Sequence, residues 1–419
     1  MADLKHKNDQ EFDLFSSEFK ANPFPTYAQM RINAPIYGHK APNGSTIWYI
    51  TRYADVLAVL RDDEHFCKDP RNTGMSNVMG TASRKTTMHR LINENMLFSD
   101  PPDHTRLRSL VSQAFTPRRI AQQTSFVQET ANRLIDRFQN EGEVDLISAF
   151  ALPLPVFIIC KLLGIPDEDR ENVALWSQAI ISPGSRDLNY SARRKRVQAL
   201  IRYLNQMFLL RSSDPRDDLI SALVHAEEAG DKLIDSELSS MLALLLVTGH
   251  ETTVNLIGNG ALALLKNPNQ LTLLRADPTL WESAVEELLR YDGPVETSTS
   301  RWASEDIFFQ GHIIRRGDLV RVVLASANRD AAQFERPDEL RIRRDDNKHL
   351  AFGYGTHYCL GAPLARLEGK IALQTLFDRL ANLRLRFPAE RLIWRTGVLF
   401  RGLQRLDVSW DKAQDASSD

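Results

Sequence analysis

The sequence predicts a mainly α fold with a small β-rich subdomain, on three observations. Short β-rich stretches occur early, at 35–38 and 45–51, and return only late, at 306–309, 312–314 and 319–324. Helical periodicity fills most of the chain between them, and one such pattern, 235–266, is unusually long and apolar. No Gly/Ser linker, repeat or low-complexity block divides the chain, so a single domain over about 21–410 is expected, with flexible ends at 1–20 and 411–419. Its β-rich part is expected at about 30–60, 294–325 and 384–410, and its helical part at about 100–293 and 361–381.

In chain order, the patterns predict helices over 53–61, 104–115, 119–140, 148–163, 191–210, 217–228, 235–266 and 278–291, then a last one over 362–380. Asp100-Pro-Pro-Asp103 makes a sharp entry to the second helix. Asp235 is placed to cap the long helix and Asn267-Pro268 to end it, and its roughly 30 residues at about 1.5 Å each span about 45 Å. Its middle, from Met241 to Val247, is apolar all round, as suits a helix passing through a core. Thr248-Gly249-His250-Glu251-Thr252-Thr253 then interrupts it with weak helix formers and hydroxyls that can bond back one turn.

Composition narrows the function. The 419 residues are 43% hydrophobic and 25% charged, enough for a large core, and a formal net charge of −2 gives no global attraction to nucleic acid, which is not expected as a partner. The three cysteines, Cys67, Cys160 and Cys359, are far apart and show no zinc spacing, which points to a reducing, cytoplasmic setting. The start of the chain has no secretory pattern, and the longest apolar runs fall short of the ~20 residues a span needs, so no membrane anchor is expected.

Cys359 carries the strongest chemical signal. The stretch Phe352-Gly-Tyr-Gly-Thr-His357-Tyr-Cys359-Leu-Gly361 supplies a glycine-relieved turn, an imidazole and a helix start. A coordinating cysteine must be a thiolate, backbone N–H groups at a helix N-terminus stabilise that anion, and glycines let the chain pass close to a large flat ligand, for which haem is the expected choice. Glu251 beside Thr252 inside a greasy helix is the equipment for handing protons to something held at the metal. Glu287 and Arg290 lie three apart on one helix face, and His104 and Arg108 lie one turn apart, offering donors to a carboxylate.

Together these features resemble the cytochrome P450 haem-thiolate monooxygenases, in particular their soluble bacterial, ferredoxin-dependent branch. The cysteine stretch matches the signature Phe-x-x-Gly-x-[His/Arg]-x-Cys-x-Gly at every fixed position, Glu287 and Arg290 match its Glu-x-x-Arg pair, and Gly249 to Thr253 match its oxygen-activation helix. The resemblance runs from about Asn22 to Trp410 and implies the cytochrome P450 fold, with haem b (protoporphyrin IX iron) between the long helix and the cysteine-bearing helix. It implies that Cys359 is the axial thiolate, that His104, Arg108, Arg301 and His357 hold the haem propionates, and that Phe352 and Gly361 belong to the cofactor loop. Glu251 and Thr252 would deliver protons to dioxygen, Gly249 would leave room for it, and Glu287 with Arg290 would be a structural pair.

Two departures stand out. Thr248 occupies a position where many relatives have alanine, and Glu339 stands where a family arginine often completes a network with Glu287 and Arg290, which leaves Arg336 or Arg341 to do so. By the same resemblance the substrate pocket takes in Leu97, Leu244, Val247, Thr248, Val295 and Phe400, with the long stretch 69–98 as a lid that contains Arg84-Lys85 and His89-Arg90. The implied reaction inserts one oxygen atom from O2 into a hydrophobic small molecule such as a polyketide, terpenoid, steroid or fatty acid. Electrons would come from ferredoxin and ferredoxin reductase docking near Arg106, Arg118, Arg119 and Arg366, and a monomer is expected. The alternatives are an H2O2-driven peroxygenase and a non-catalytic haem-based sensor or lipophile carrier, neither of which needs the Glu251–Thr252 relay.

Overall fold

A computed structural model describes residues 11–41, 44–75, 78, 94–181, 189–228 and 231–412. The main sheet has five strands: β1 (Ile36–Lys40), β2 (Thr46–Ile50), β3 (Phe66–Cys67), β4 (Arg301–Ala303) and β5 (Leu319–Val322). Their order is β1-β2-β5-β4-β3, with β2 and β5 parallel and the other pairs antiparallel. Val320 faces both Trp48 and Arg301, so the sheet cannot form until the two ends of the chain meet, which welds them into one unit. The β-branched and aromatic run Thr46-Ile-Trp-Tyr-Ile50 suits a strand buried on most of its length.

Seven helices position the site: α1 (Asp103–Ala114), α2 (Pro153–Leu163), α3 (Arg170–Ile181), α4 (Tyr190–Ser213), α5 (Asp235–Lys266), α6 (Trp281–Asp292) and α7 (Ala362–Arg379). α5 has the bounds expected from its pattern and lies against α2, α6 and α7 in the main hydrophobic cluster. By length and composition it could cross a bilayer, but it is the buried core helix of this fold. Its start differs from expectation. Asp235 makes no cap; the backbone N–H of Ile234 donates to the Glu237 carboxylate at 3.1 Å, which satisfies an end group the side chain of Ile234 cannot serve.

Other expected helices are shorter. The 119–140 pattern breaks into Pro117–Ala121 and Thr124–Asp136, and 217–228 forms only Leu219–Val224 before Glu227–Glu228 pairs with Asp231–Lys232. Pro268 opens a helix to Ala276 as well as closing α5, because a first-turn proline lacks only an N–H that has no partner there anyway. Ile307–Phe309 and His312–Ile314 form a separate hairpin outside the main sheet. Within the stretch expected to be loose at the start, Phe12, Leu14 and Phe19 are buried and Lys20 Nζ reaches Glu296 at 3.0 Å.

Candidate active site

The loop before α7 brings Cys359 to the floor of an interior cavity. Gly353 and Gly355 take φ of 72° and 71°, in the left-handed region, and a Cβ on Gly355 would lie 2.9 Å from the Leu60 carbonyl oxygen, so only glycine fits there. The Cys359 N–H donates to the Phe352 carbonyl at 2.9 Å, and the cysteine's surface opens onto the cavity. Burial pushes the Cys359 thiol up, and the N–H groups of Gly361 and Ala362 and the nearby Arg108 guanidinium pull it back toward the thiolate. Phe352 lines the same cavity, and a Cβ on Gly361 would stand 3.9 Å from Cys359 Sγ.

α5 forms the opposite wall. Thr248 donates its hydroxyl to the Leu244 carbonyl at 2.7 Å, and Thr252 donates to the Thr248 carbonyl at 2.9 Å, so each threonine bonds back one turn. The extra hydroxyl of Thr248 is thus already spent as a donor. Gly249 lets α2 come close, since a Cβ there would sit 3.0 Å from Ile159 Cδ1. Thr248, Gly249, Thr252 and Thr253 line the cavity, whereas Glu251 is turned away, 4% exposed, and ion-paired with Arg395.

A cationic rim closes the side near the main sheet. His104 and Arg108 come from α1, Arg301 from β4 and His357 from the turn before Cys359; the two imidazoles lie 4.3 Å apart. Arg108 donates to the Tyr358 carbonyl at 2.7 Å, and Arg301 donates to Asp63 at 3.0 Å. Both ring nitrogens of His104, Nε2 of His357 and Nε of Arg301 are nevertheless buried with no protein partner. Burial and neighbouring cations push both histidines down, His357 far below its ordinary value. Lys68, just after β3, joins them: it is fully buried, donates to Thr299 Oγ1 at 2.6 Å, and is pushed well below its usual range by burial and Arg301. Partnerless donors converging on an apolar cavity make a receptor for the anionic edge of a flat, greasy ligand.

The cavity measures about 440 Å³. Leu97, Leu244, Val247, Thr248, Val295 and Phe400, the expected pocket residues, all line it, and Val295 and Phe400 meet in a bridge between their segments. Arg84-Lys85 and His89-Arg90 lie outside the described residues. Behind the cysteine loop, Glu287 accepts from Arg290 at 2.7 and 2.8 Å, from Arg344 at 3.0 Å and from the Arg341 N–H at 2.8 Å. The arginine that completes the network is therefore Arg344, not Arg336 or Arg341; Arg336 lies at the surface against Glu339. Glu339 contributes its backbone carbonyl to Arg290 at 2.9 Å, so its acidic side chain never has to enter the network. Among the expected docking arginines, Arg106 pairs with Glu237, Arg119 with Asp217 and Arg366 with Glu286.

Comparison with known proteins fits this geometry. The cytochrome P450 family model matches residues 189–383. The polyketide biosynthesis cytochrome P450 PksS of Bacillus subtilis is 42% identical over 406 residues, which cover 96% of this chain and 99% of that protein. The chain belongs to the cytochrome P450 family. The cytochrome P450 monooxygenase PikC of Streptomyces venezuelae is 41% identical over 402 residues, covering 95% of this chain and 94% of its own. The solved PksS structure superposes with a TM-score of 0.89 over 96% of this chain and all of that one. P450BioI in complex with an acyl carrier protein ligated to hexadec-9Z-enoic acid superposes with a TM-score of 0.84 at 39% identity, covering 94% of this chain and 99% of that one.

Membership makes this chain a cytochrome P450 monooxygenase. Cytochromes P450 carry a haem thiolate, and the residues present fit one: a single cavity-facing thiol, a cationic rim with unsatisfied donors, and an apolar wall between them. Lys68, Arg344 and Arg395 are the functional neighbours that sequence reading missed. Lys68 leaves only the faint signal of a lysine directly after a buried Phe-Cys pair; the other two leave none, because each acts on a partner far away in the chain.

Proposed function

We propose that this P450 monooxygenase inserts one atom of O2 into a C–H or C=C bond of an acyl or polyketide chain, the second atom leaving as water. NAD(P)H supplies the electrons through a ferredoxin reductase and a ferredoxin. Cys359 would hold a haem b through its thiolate, and His104, Arg108, Arg301 and His357, joined by Lys68, would hold its propionates. The haem supplies the redox centre at which dioxygen is activated. Around it, Thr252 holds a hydroxyl at the cavity wall to pass a proton inward, Glu251, facing away from the cavity and paired with Arg395, links that helix position to water, and the apolar lining excludes bulk water and orients the chain. The observation that carries the reading is the apolar cavity of about 440 Å³ with the Cys359 thiol on one wall and Thr252 on the other. PksS, named for polyketide biosynthesis, and P450BioI, bound to an acyl-loaded carrier, support the substrate class.

A cytoplasmic setting fits the three free cysteines, two of them buried. The test is direct. Purified protein, reduced under carbon monoxide, is expected to give the absorption of a thiolate-ligated haem and Cys359→Ser to lose it; an imidazole-type spectrum in the wild type overturns the assignment. Hydrophobic acids and macrolactones are then screened for the low-spin to high-spin shift, and turnover is followed with NADPH and surrogate redoxins. Product formed with H2O2 alone, and none with NADPH and redoxins, would replace the monooxygenase reading by a peroxygenase. A shift without product from either would leave a lipophile carrier.

A further inference from the structure

The 24 residues of α4 carry Arg193, Arg194, Lys195, Arg196, Arg202 and Arg211 and no acid, in a chain whose net charge is −2. Arg211 is buried against Asp218, but Arg194, Lys195, Arg196 and Arg202 have no ion-pair partner among the described residues. Several surface arginines elsewhere pair, as Arg106 with Glu237, Arg119 with Asp217 and Arg379 with Asp136. Arg194, Lys195 and Arg196, adjacent near a helix N-terminus, also repel one another and sit at the positive pole of the helix, an arrangement that an external anion relieves.

The exposed positions form one strip. Arg194, Gln198, Arg202, Asn205 and Leu209 follow at intervals of three and four and all face outward, Leu209 with 74% of its surface exposed. The strip is cationic toward its start and apolar toward its end. α4 lies on the outer side of α5: Tyr203 packs on Trp176 of α3, α3 packs on α5, and Ser239 at the start of α5 donates to Asn205 at 3.0 Å. α5 forms the cavity wall facing Cys359, so the strip and the thiolate are on different sides of the cavity.

Resting on the acyl or polyketide reading above, we propose that this face of α4 docks an acidic carrier protein which presents the substrate as a phosphopantetheine thioester. Charge complementarity selects an anionic partner, and the apolar end at Leu209 and Leu210, 45% exposed, calls for a folded protein surface with its own apolar residue at the rim. A carrier-bound acyl chain also matches a cavity whose polar groups are confined to the cationic rim and the α5 threonines, leaving the rest of the wall for hydrocarbon.

The test uses the full-length, haem-loaded protein and its Arg194→Glu/Arg202→Glu variant. Binding of a bacterial acyl carrier protein is measured by calorimetry with and without a hexadecenoyl chain on its phosphopantetheine, at low and high salt, beside the spin shift produced by free hexadecenoic acid. Both carrier forms are expected to bind the wild type, more weakly as salt rises, and charge reversal is expected to cost about tenfold or more in carrier affinity. The response to the free acid is expected to stay the same in the variant. Equal carrier affinity in the two proteins, or no carrier binding by the wild type, overturns the proposal. So does an outcome in which anionic vesicles or a ferredoxin, and not the carrier, lose affinity in the variant. Carrier binding through α4 with no spin shift from any acyl chain, free or carried, keeps the docking face and overturns the substrate reading alone.

Discussion

The Glu251 carboxylate is ion-paired with Arg395, 144 positions along the chain, while the hydroxyl of the next residue, Thr252, sits on the cavity wall. Successive helical residues point about 100° apart, so the acid and the alcohol of the relay look in different directions. Arg395 is fastened by its own backbone, whose N–H donates to the Gly402 carbonyl at 2.8 Å, and its side chain keeps 29% of its surface exposed. The pair therefore spans from a buried acid to water.

Removing the cation strands a buried carboxylate. Arg395→Ala is expected to lower stability by about 1–3 kcal/mol, less than a fully buried pair because water reaches the guanidinium. Adding Glu251→Gln to that variant should restore most of the loss, since no charge is left to solvate. Urea unfolding of the two single variants and the double variant checks this; equal instability of Arg395→Ala and the double variant would show that the ion pair is not the source.

Thr252 makes a separate prediction. Among the described residues its hydroxyl is tied only to the Thr248 carbonyl, so Thr252→Ala should fold within about 1 kcal/mol of the wild type. NADPH oxidation should continue while product per NADPH falls about tenfold or more and peroxide takes its place, because a positioned proton donor is lost. Thr252→Ser should retain most of the coupling. Thr248 bonds back to Leu244 in the same way and lines the same cavity, so Thr248→Ala is the control, and an equal loss of coupling there would show that Thr252 has no special role. Peroxide and product yields per NADPH decide between these outcomes, and unchanged coupling in Thr252→Ala removes it from the mechanism.

Much of this was legible in the sequence where the cause is local. The bounds of α5 follow from an apolar run closed by Asn267-Pro268, and the cysteine loop from glycines that only a left-handed turn requires. The lining positions Leu97, Leu244, Val247, Thr248, Val295 and Phe400 all came from family resemblance, since no local pattern brings these distant segments together. Arg344, Arg395 and Lys68 were hidden for the same reason: each acts on a partner brought close only by the tertiary fold. α3 went unseen because its 12 residues show weak amphipathicity, and the Glu237 cap because Asp235 offered a more conventional one.

The Glu287 network distinguishes arginines that sequence spacing could not. Glu287 is wholly buried and is balanced by Arg290 and Arg344, with Arg344 also largely buried. Arg344→Ala should destabilise the fold by about 2–4 kcal/mol, because one cation is withdrawn from a desolvated carboxylate. Arg336→Ala, at an exposed site, should change stability by no more than about 0.5 kcal/mol. Thermal unfolding of the two variants side by side tests the assignment, and a larger loss at Arg336 than at Arg344 reverses it.

Glu368 of α7 yields a pH dependence. It is fully buried, neither carboxyl oxygen has a partner among the described residues, and burial raises its pKa well above the ordinary 4.5. The folded protein therefore keeps this proton at pH values where the unfolded chain has released it. Where the folded state binds more protons, stability falls as pH rises, so the loss begins near the unfolded value of 4.5 and continues until the raised folded value is passed. Glu368→Gln keeps the shape and has no proton to lose. The variant should match the wild type most closely at low pH and gain on it steadily as pH rises, read as urea midpoints at about pH 5 and about pH 8. A gap between the two proteins that does not widen with pH would mean that the Glu368 carboxyl ionises in the fold as readily as in the unfolded chain.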